Sequence, residues 1–232
     1  MTTLQKFIEN FFQTLYPNLC LGCNLQPKTR DSSFCVQCLH DLPYTDHFET
    51  ATNIVTNHFK GRVPLDHGAA ILIFTEGGIV QNLLHQLKYK GKREIGEIMG
   101  EIAGKKILSS PLFHSPDIII PVPIHTKKQV SRGYNQSTIF GKAIEKIIHV
   151  PCKDNILTKK KETKSQTGKS RTDRIQNVSD VFEMKNAQSV SNKHVLLVDD
   201  VVTTGATLEA CCLEIIKAGA SKISIVSIAA AV

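Results

Sequence analysis

The stretch Val195-Leu-Leu-Val-Asp-Asp-Val-Val-Thr-Thr-Gly-Ala-Thr207 decides the fold. Its four opening apolar residues are bounded by polar ones, which predicts a strand buried on both faces. Asp199 and Asp200 fall where that strand should end. Thr203, Thr204, Gly205, Ala206 and Thr207 make a tight loop, and Leu208 to Ala218 reads as a helix closed by Gly219. Strand, loop and helix in this order indicate an open α/β sheet, where ligands bind outside the carboxyl ends of the strands.

The loop has a definite chemistry. A loop feeding a helix N-terminus presents N–H groups and a partial positive charge, which favours phosphate. Three threonine hydroxyls add donors, and Gly205 permits a backbone shape that a Cβ would hinder. Two carboxylates beside such a nest suit vicinal hydroxyls, a magnesium ion, or both. A ribose 5-phosphate with a free 2,3-diol meets all of these demands. The thirteen residues resemble the phosphoribosyl pyrophosphate (PRPP) motif of type I phosphoribosyltransferases. The resemblance implies that Asp199 and Asp200 bind the ribose diol with magnesium, and that Thr203 to Thr207 bind the 5-phosphate. A response-regulator receiver can also open Leu-Leu-Val-Asp-Asp, but it needs a much longer chain after the pair than Val201 to Val232. A strand, loop and helix without a ligand is the structural alternative.

At 232 residues the chain makes one large domain or two small ones. A hydrophobic fraction of 41% with 21% charged residues is ordinary for a soluble globular protein. No apolar run approaches the ~20 residues that span a bilayer, and the N-terminal stretch lacks the features of a signal peptide. The expectation is a cytoplasmic protein without stable membrane insertion, its seven cysteines reduced or metal-bound. The net charge of +7 is unevenly placed: Pro121 to Arg174 holds 13 Lys and Arg against 4 Asp and Glu. Such asymmetry suggests a polyanion, whether nucleic acid, an anionic membrane surface or a phosphate-rich small ligand. A solvated basic face is the plainer reading.

Leu4, Phe7, Ile8, Phe11, Phe12 and Leu15 predict an amphipathic helix over 3–15. Cys20-Leu-Gly-Cys23 and Cys35-Val-Gln-Cys38 follow, with eleven residues between the pairs. Two Cys-x-x-Cys pairs complete a tetrahedral site, and four thiolates leave no open position, so Cys20, Cys23, Cys35 and Cys38 are read as structural zinc ligands. Residues 1–45 then form a metal-stapled module, 46–66 a linker with at most one strand, and 67–232 an α/β domain. Within that domain, Ala69 to Phe74 predicts a strand, and Ile79 onward and Ile95 to Leu108 predict helices. Ile118 to Ile120 reads as a strand stopped by proline, His125 to Gln136 as a polar loop, and the residues to Ile148 as a helix. Lys88, Lys90, Lys92 and Arg93 surround Tyr89, a combination suited to phosphate contact with base stacking, although a packed tyrosine is the commoner case. Ile156-Leu157 ends a short strand, and a long polar stretch with Lys159, Lys160, Lys161, Lys164, Lys169, Arg171 and Arg174 follows. Val181-Phe182 predicts an edge strand and Ile223 to Ala230 the last strand of the sheet. Cys211 and Cys212 read as core.

The four-cysteine module, Leu87-Lys88-Tyr89, Pro121-Val122-Pro123, Arg132-Gly-Tyr-Asn-Gln136, Gln166, Arg171, Asn177-Val178 and the PRPP motif occur in one order. Together they resemble the ComF family of competence proteins over nearly the full length. The resemblance implies a type I phosphoribosyltransferase fold: a mainly parallel sheet flanked by helices, with a small zinc module in front. It implies that Lys127, Lys128 and Arg132 lie in the pyrophosphate loop, and that Arg171 and Arg174 belong to a flexible loop over the substrate. Gln166, Arg171, Arg174, Asn177-Val178 and Phe182 are similar to the pattern of glutamine phosphoribosyl-amidotransferases. The family's role implies single-stranded DNA as a partner during natural transformation, with a DNA-uptake helicase or recombination proteins as further partners. One departure bears on catalysis: purine-salvage transferases often carry Asp where Thr203 stands, and threonine is no general base near neutral pH. Three readings therefore stand together: single-stranded DNA handling, an active phosphoribosyltransferase with an unidentified acceptor, and a PRPP-sensing regulator.

Overall fold

A computed structural model describes residues 19–25, 33–160 and 181–232. The helix expected over 3–15 lies outside them. Four strands, β1 (His67–Phe74), β2 (Ile118–Pro121), β5 (His194–Val202) and β6 (Lys222–Ala231), form one sheet in the order β1-β6-β5-β2. Every pairing in it is parallel. A bridge from Ile119 to Cys152 extends the β2 edge. β3 (Leu157–Lys159) and β4 (Phe182–Met184) pair antiparallel as a separate two-stranded sheet, so Phe182 opens a strand beside the main sheet and not on its edge.

Seven α-helices lie among the described residues: α1 (Val36–Asp41), α2 (Ile54–Phe59), α3 (Ile79–Tyr89), α4 (Glu94–Ser109), α5 (Thr126–Arg132), α6 (Gln136–Ile148) and α7 (Ala206–Lys217). The apolar run of β5 feeds two cores because successive side chains of a strand face opposite ways. Leu196 and Val198 pack in one core with Leu83 and Leu87 of α3, Met99 of α4 and Phe140 of α6. Val195 and Leu197 pack in the other with Phe59 of α2, Leu208 and Ile215 of α7, and Phe182. Helices α4 and α6 approach closely at Gly100, where a Cβ would stand 2.4 Å from that of Ala143.

Three expectations change. The supposed linker 46–66 contains α2, started by a reciprocal cap between Asn53 and Thr56. The supposed polar loop 125–136 contains α5, which His125 caps at its start and Gly133 ends in the left-handed conformation. No residue of α5 is buried, so no apolar stripe announced it. Finally, β5 runs to Val202, two residues past the acidic pair, because Val201 and Val202 still pair with Ala229 and Ala230 of β6.

Candidate functional site

Residues Asp199 to Leu208 line a cavity of about 220 Å³ at the carboxyl end of β5. Thr203, Thr204, Ala206 and Thr207 are exposed around it, and Gly205 is buried beneath. Gly205 has φ of 72°, and a Cβ there would lie 3.1 Å from Cζ of Phe59 in α2. Arg62, just beyond α2, donates to the Thr204 carbonyl at 3.3 Å and pairs with Glu209 of α7. The segment read as a linker thus buttresses the loop from below. Gly205 offers α7 no side-chain cap, and Thr204 Oγ1 accepts from the Ala206 N–H at 3.4 Å, so the remaining backbone donors of the first turn suit an oxyanion. Gly205→Ala is expected to cost ~1–2 kcal/mol from the left-handed backbone alone. Its melting temperature should fall by ~2–8 °C, and calorimetric titration should show weakened phosphate binding.

The acidic pair has two different surroundings. Asp199 is partly exposed; its Oδ1 accepts from Ser137 Oγ and from the Asp200 backbone N–H, each at 2.9 Å. Asp200 is buried; its Oδ2 meets Lys88 Nζ at 2.9 Å and accepts from Gln136 Nε2 at 3.2 Å. Gln136 Oε1 is buried without a hydrogen-bond partner among the described residues. Desolvation, then the neighbouring Asp200 charge, push Asp199 up to about 7 against the opposing pull of the Asp200 N–H, Ser137 and Lys88. A carboxyl that binds its proton more tightly when folded contributes less to stability as pH rises from its unfolded value near 4 toward 7. Asp199→Asn is expected to flatten that part of the profile, read as melting temperature from about pH 5 to about pH 8.

Lys88 is thus turned inward to the acidic pair, although the sequence groups it with outward cations. A signal was present: Lys88 follows Leu84 by four residues, which places it on the buried face of α3. Ser137, Gln136 and Arg62 are site residues that the sequence reading missed. Lys159 is half-buried over the Phe182 ring at 5.3 Å. Burial, then the charge of Lys128, lowers its pKa, against the opposing pull of Cys211 and Asp199.

Arg132 closes α5 and lies over the exposed Tyr89 ring at 5.1 Å, with its Nη2 3.4 Å from the Tyr89 hydroxyl. His85 flanks the same ring at 5.1 Å, and Arg93 lies over Tyr134 at 4.6 Å. Lys90 is exposed, Lys92 approaches Glu94 at 3.7 Å, and Lys160 pairs with Glu183 at 3.1 Å. Lys127 sits in the first turn of α5 and is not among the residues that line the cavity. Lys161, Lys164, Lys169, Arg171 and Arg174 lie outside the described residues, as do Gln166 and Asn177-Val178.

The sulfurs of Cys20, Cys23, Cys35 and Cys38 all lie within 4.8 Å of one another, and none forms a disulfide. Cys23 and Cys35 sulfurs are 4.0 Å apart, close to the ~3.8 Å separation that a tetrahedral zinc with ~2.3 Å bonds requires. Burial alone would raise the Cys20 thiol, but N–H groups of Cys35, Cys23 and Gly22 bring it down to about 6. Burial and the neighbouring sulfurs raise Cys38. Four thiols crowded this way fit a dication, which allows all of them to ionise. The knuckle docks on α3: Asn82 Nδ2 donates to the Gly22 carbonyl at 3.2 Å, and Gln86 Nε2 to the Leu21 carbonyl at 2.7 Å. Leu21, Phe34 and Leu42 belong to the same core as β5.

No helix of the described residues is long and apolar enough to cross a membrane. The phosphoribosyl transferase domain family matches residues 134–231. The chain is 28% identical over 217 residues to competence protein F of Haemophilus influenzae, covering 92% of this chain and 90% of that protein. It is 27% identical over 210 residues to the DNA utilization protein YhgH of Escherichia coli, covering 89% and 88% respectively. Among solved structures, the glutamine PRPP amidotransferase from B. subtilis complexed with ADP and GMP gives a TM-score of 0.43 at 16% identity, and the chain spans 30% of that protein's length. The domain match spans α6, β5 with its loop, α7 and β6. The chain thus resembles competence and DNA utilization proteins over most of its length, and its residues 134–231 match the phosphoribosyl transferase domain family.

Proposed function

We propose that this protein handles incoming single-stranded DNA in the cytoplasm during natural transformation. In this reading it also carries a PRPP pocket served by magnesium and a zinc knuckle that supports the fold. The observation that carries the DNA reading is the rim formed by the end of α3 and by α5. Tyr89 is exposed there between Arg132 and His85. Apart from Lys88, which turns inward to Asp200, residues 85–93 and 121–136 supply six Lys and Arg and no carboxylate. An aromatic face with cations around it offers stacking and phosphate contact at once, without reading sequence. The names of the competence and DNA utilization relatives support the same reading.

Fluorescence anisotropy of a labelled single-stranded oligonucleotide, titrated across salt, tests it. Tight binding that weakens steeply with salt is the expected result. Tyr89→Ala should lower affinity by on the order of 5–150-fold, from the ~1–3 kcal/mol of one stacked base. Absence of binding at low salt would reduce the rim to a solvated face. A second reading, transfer of a phosphoribosyl group to an acceptor, is favoured by the open cavity lined by Asp199 to Leu208. Release of pyrophosphate from PRPP in the presence of candidate acceptors would identify it.

A further inference from the structure

We propose that Lys88 is the resident counter-cation of the acidic pair, so that a ribose diol binds at Asp199 and Asp200 without a divalent ion between the carboxylates. The inference rests on the phosphoribosyl reading of the pocket and concerns how that pocket balances its charge.

Lys88 Nζ stands 2.9 Å from Asp200 Oδ2, and the two side chains are only 22% and 10% exposed. An ion pair so withdrawn from water holds together because either charge alone would be costly to bury. Gln136 Nε2 donates to the same oxygen at 3.2 Å, which fixes the carboxylate where the ammonium meets it. Lys88 comes from the last turn of α3, whose earlier residues Asn82 and Gln86 are hydrogen-bonded to the cysteine knuckle. The cation is therefore delivered by a braced helix. Magnesium demands near-octahedral oxygen ligands at ~2.0–2.1 Å. An ammonium on Asp200 Oδ2 opposes such an ion by charge and by space. Asp199, held by Ser137 Oγ and partly exposed, remains for the sugar hydroxyls. Magnesium would then be held by the pyrophosphate oxygens of PRPP and not by the acidic pair.

The test uses ribose 5-phosphate, which has the diol and the phosphate but no pyrophosphate, together with Mg²⁺ alone. Wild-type protein is expected to bind the sugar phosphate equally in chelator and in millimolar Mg²⁺. Lys88→Met should bind it on the order of tenfold more weakly in chelator, the loss of one charged contact, and regain most of that affinity with Mg²⁺. Lys88→Arg should keep metal independence. Thermal melts supply a readout that needs no sugar: Mg²⁺ should raise the melting temperature of Lys88→Met and leave the wild type unchanged. A wild type that needs Mg²⁺ for ribose 5-phosphate, or a Lys88→Met protein indifferent to Mg²⁺ in melts and binding, overturns the proposal. If the wild type binds no ribose 5-phosphate with or without metal, the phosphoribosyl reading fails. The Mg²⁺ response of the Lys88→Met melt then still decides whether Lys88 stands in for an ion.

Discussion

Replacing Cys20 and Cys38 together with Ser is expected to strip the metal from the knuckle and melt everything that leans on it. Both sulfurs are buried and belong to different Cys-x-x-Cys pairs, so neither remaining pair can complete a tetrahedral site. Zinc binding in small knuckles is worth ~10–16 kcal/mol, as much as the ~5–15 kcal/mol that stabilises a typical domain. The damage should spread, because Leu21, Phe34 and Leu42 share a core with Leu83 and Leu87 of α3. Elemental analysis should fall from one zinc per chain to none. Hydrogen exchange should rise along α3, where Asn82 and Gln86 lose their carbonyl partners. Chelator-treated wild type should behave alike; a metal-free wild type with unchanged melting would remove zinc from this account.

The second large effect separates two neighbouring acids. Asp199→Asn and Asp200→Asn should each weaken PRPP binding by on the order of 10–150-fold, the ~1.5–3 kcal/mol of a charged hydrogen bond. Their effects on the fold should differ. Asp200→Asn strands the mostly buried Lys88 ammonium, at a cost of ~3 kcal/mol, or ~6–12 °C in melting temperature for a chain of this size. Asp199→Asn removes a carboxyl whose charged form desolvation and Asp200 already disfavour, and should leave the melt unchanged or raise it near neutral pH. Calorimetric titration with PRPP and magnesium, beside thermal melts, measures both. Equal melts would mean that Lys88 does not depend on Asp200. Undiminished binding in the double variant would move the ligand elsewhere.

The elements legible in the sequence were those whose physics is local. The apolar run 195–198, the Thr and Gly loop and the paired Cys-x-x-Cys spacing each carry their meaning in a few residues. The strand expected over 69–74 and the helices expected from Ile79, over 95–108 and to Ile148 correspond to β1, α3, α4 and α6, whose ends differ by at most two residues where both were given. What escaped was either short or relational. Helix α5 has no buried face, so periodicity is silent, and only His125 before it and Gly133 after it mark its ends. Helix α2 has six residues, and its Asn53 and Thr56 cap was the available sign. The pairing of Lys88 with Asp200 links residues far apart in the chain. Neighbouring Lys90, Lys92 and Arg93 made an outward cation the simpler reading.

The sheet order has a consequence for how the molecule is made. β1 pairs with β6, His67 opposite Ser224, and with neither β2 nor β3, the strands that follow it in the chain. A nascent chain therefore carries β1, the knuckle and α3 for most of its synthesis with no sheet edge to receive them. Such long-range parallel pairing is slow and leaves apolar strands open to aggregation meanwhile. Early metal capture by the knuckle would give α3 a partner before the sheet exists, so zinc supply during translation should affect soluble yield more than it affects the finished protein.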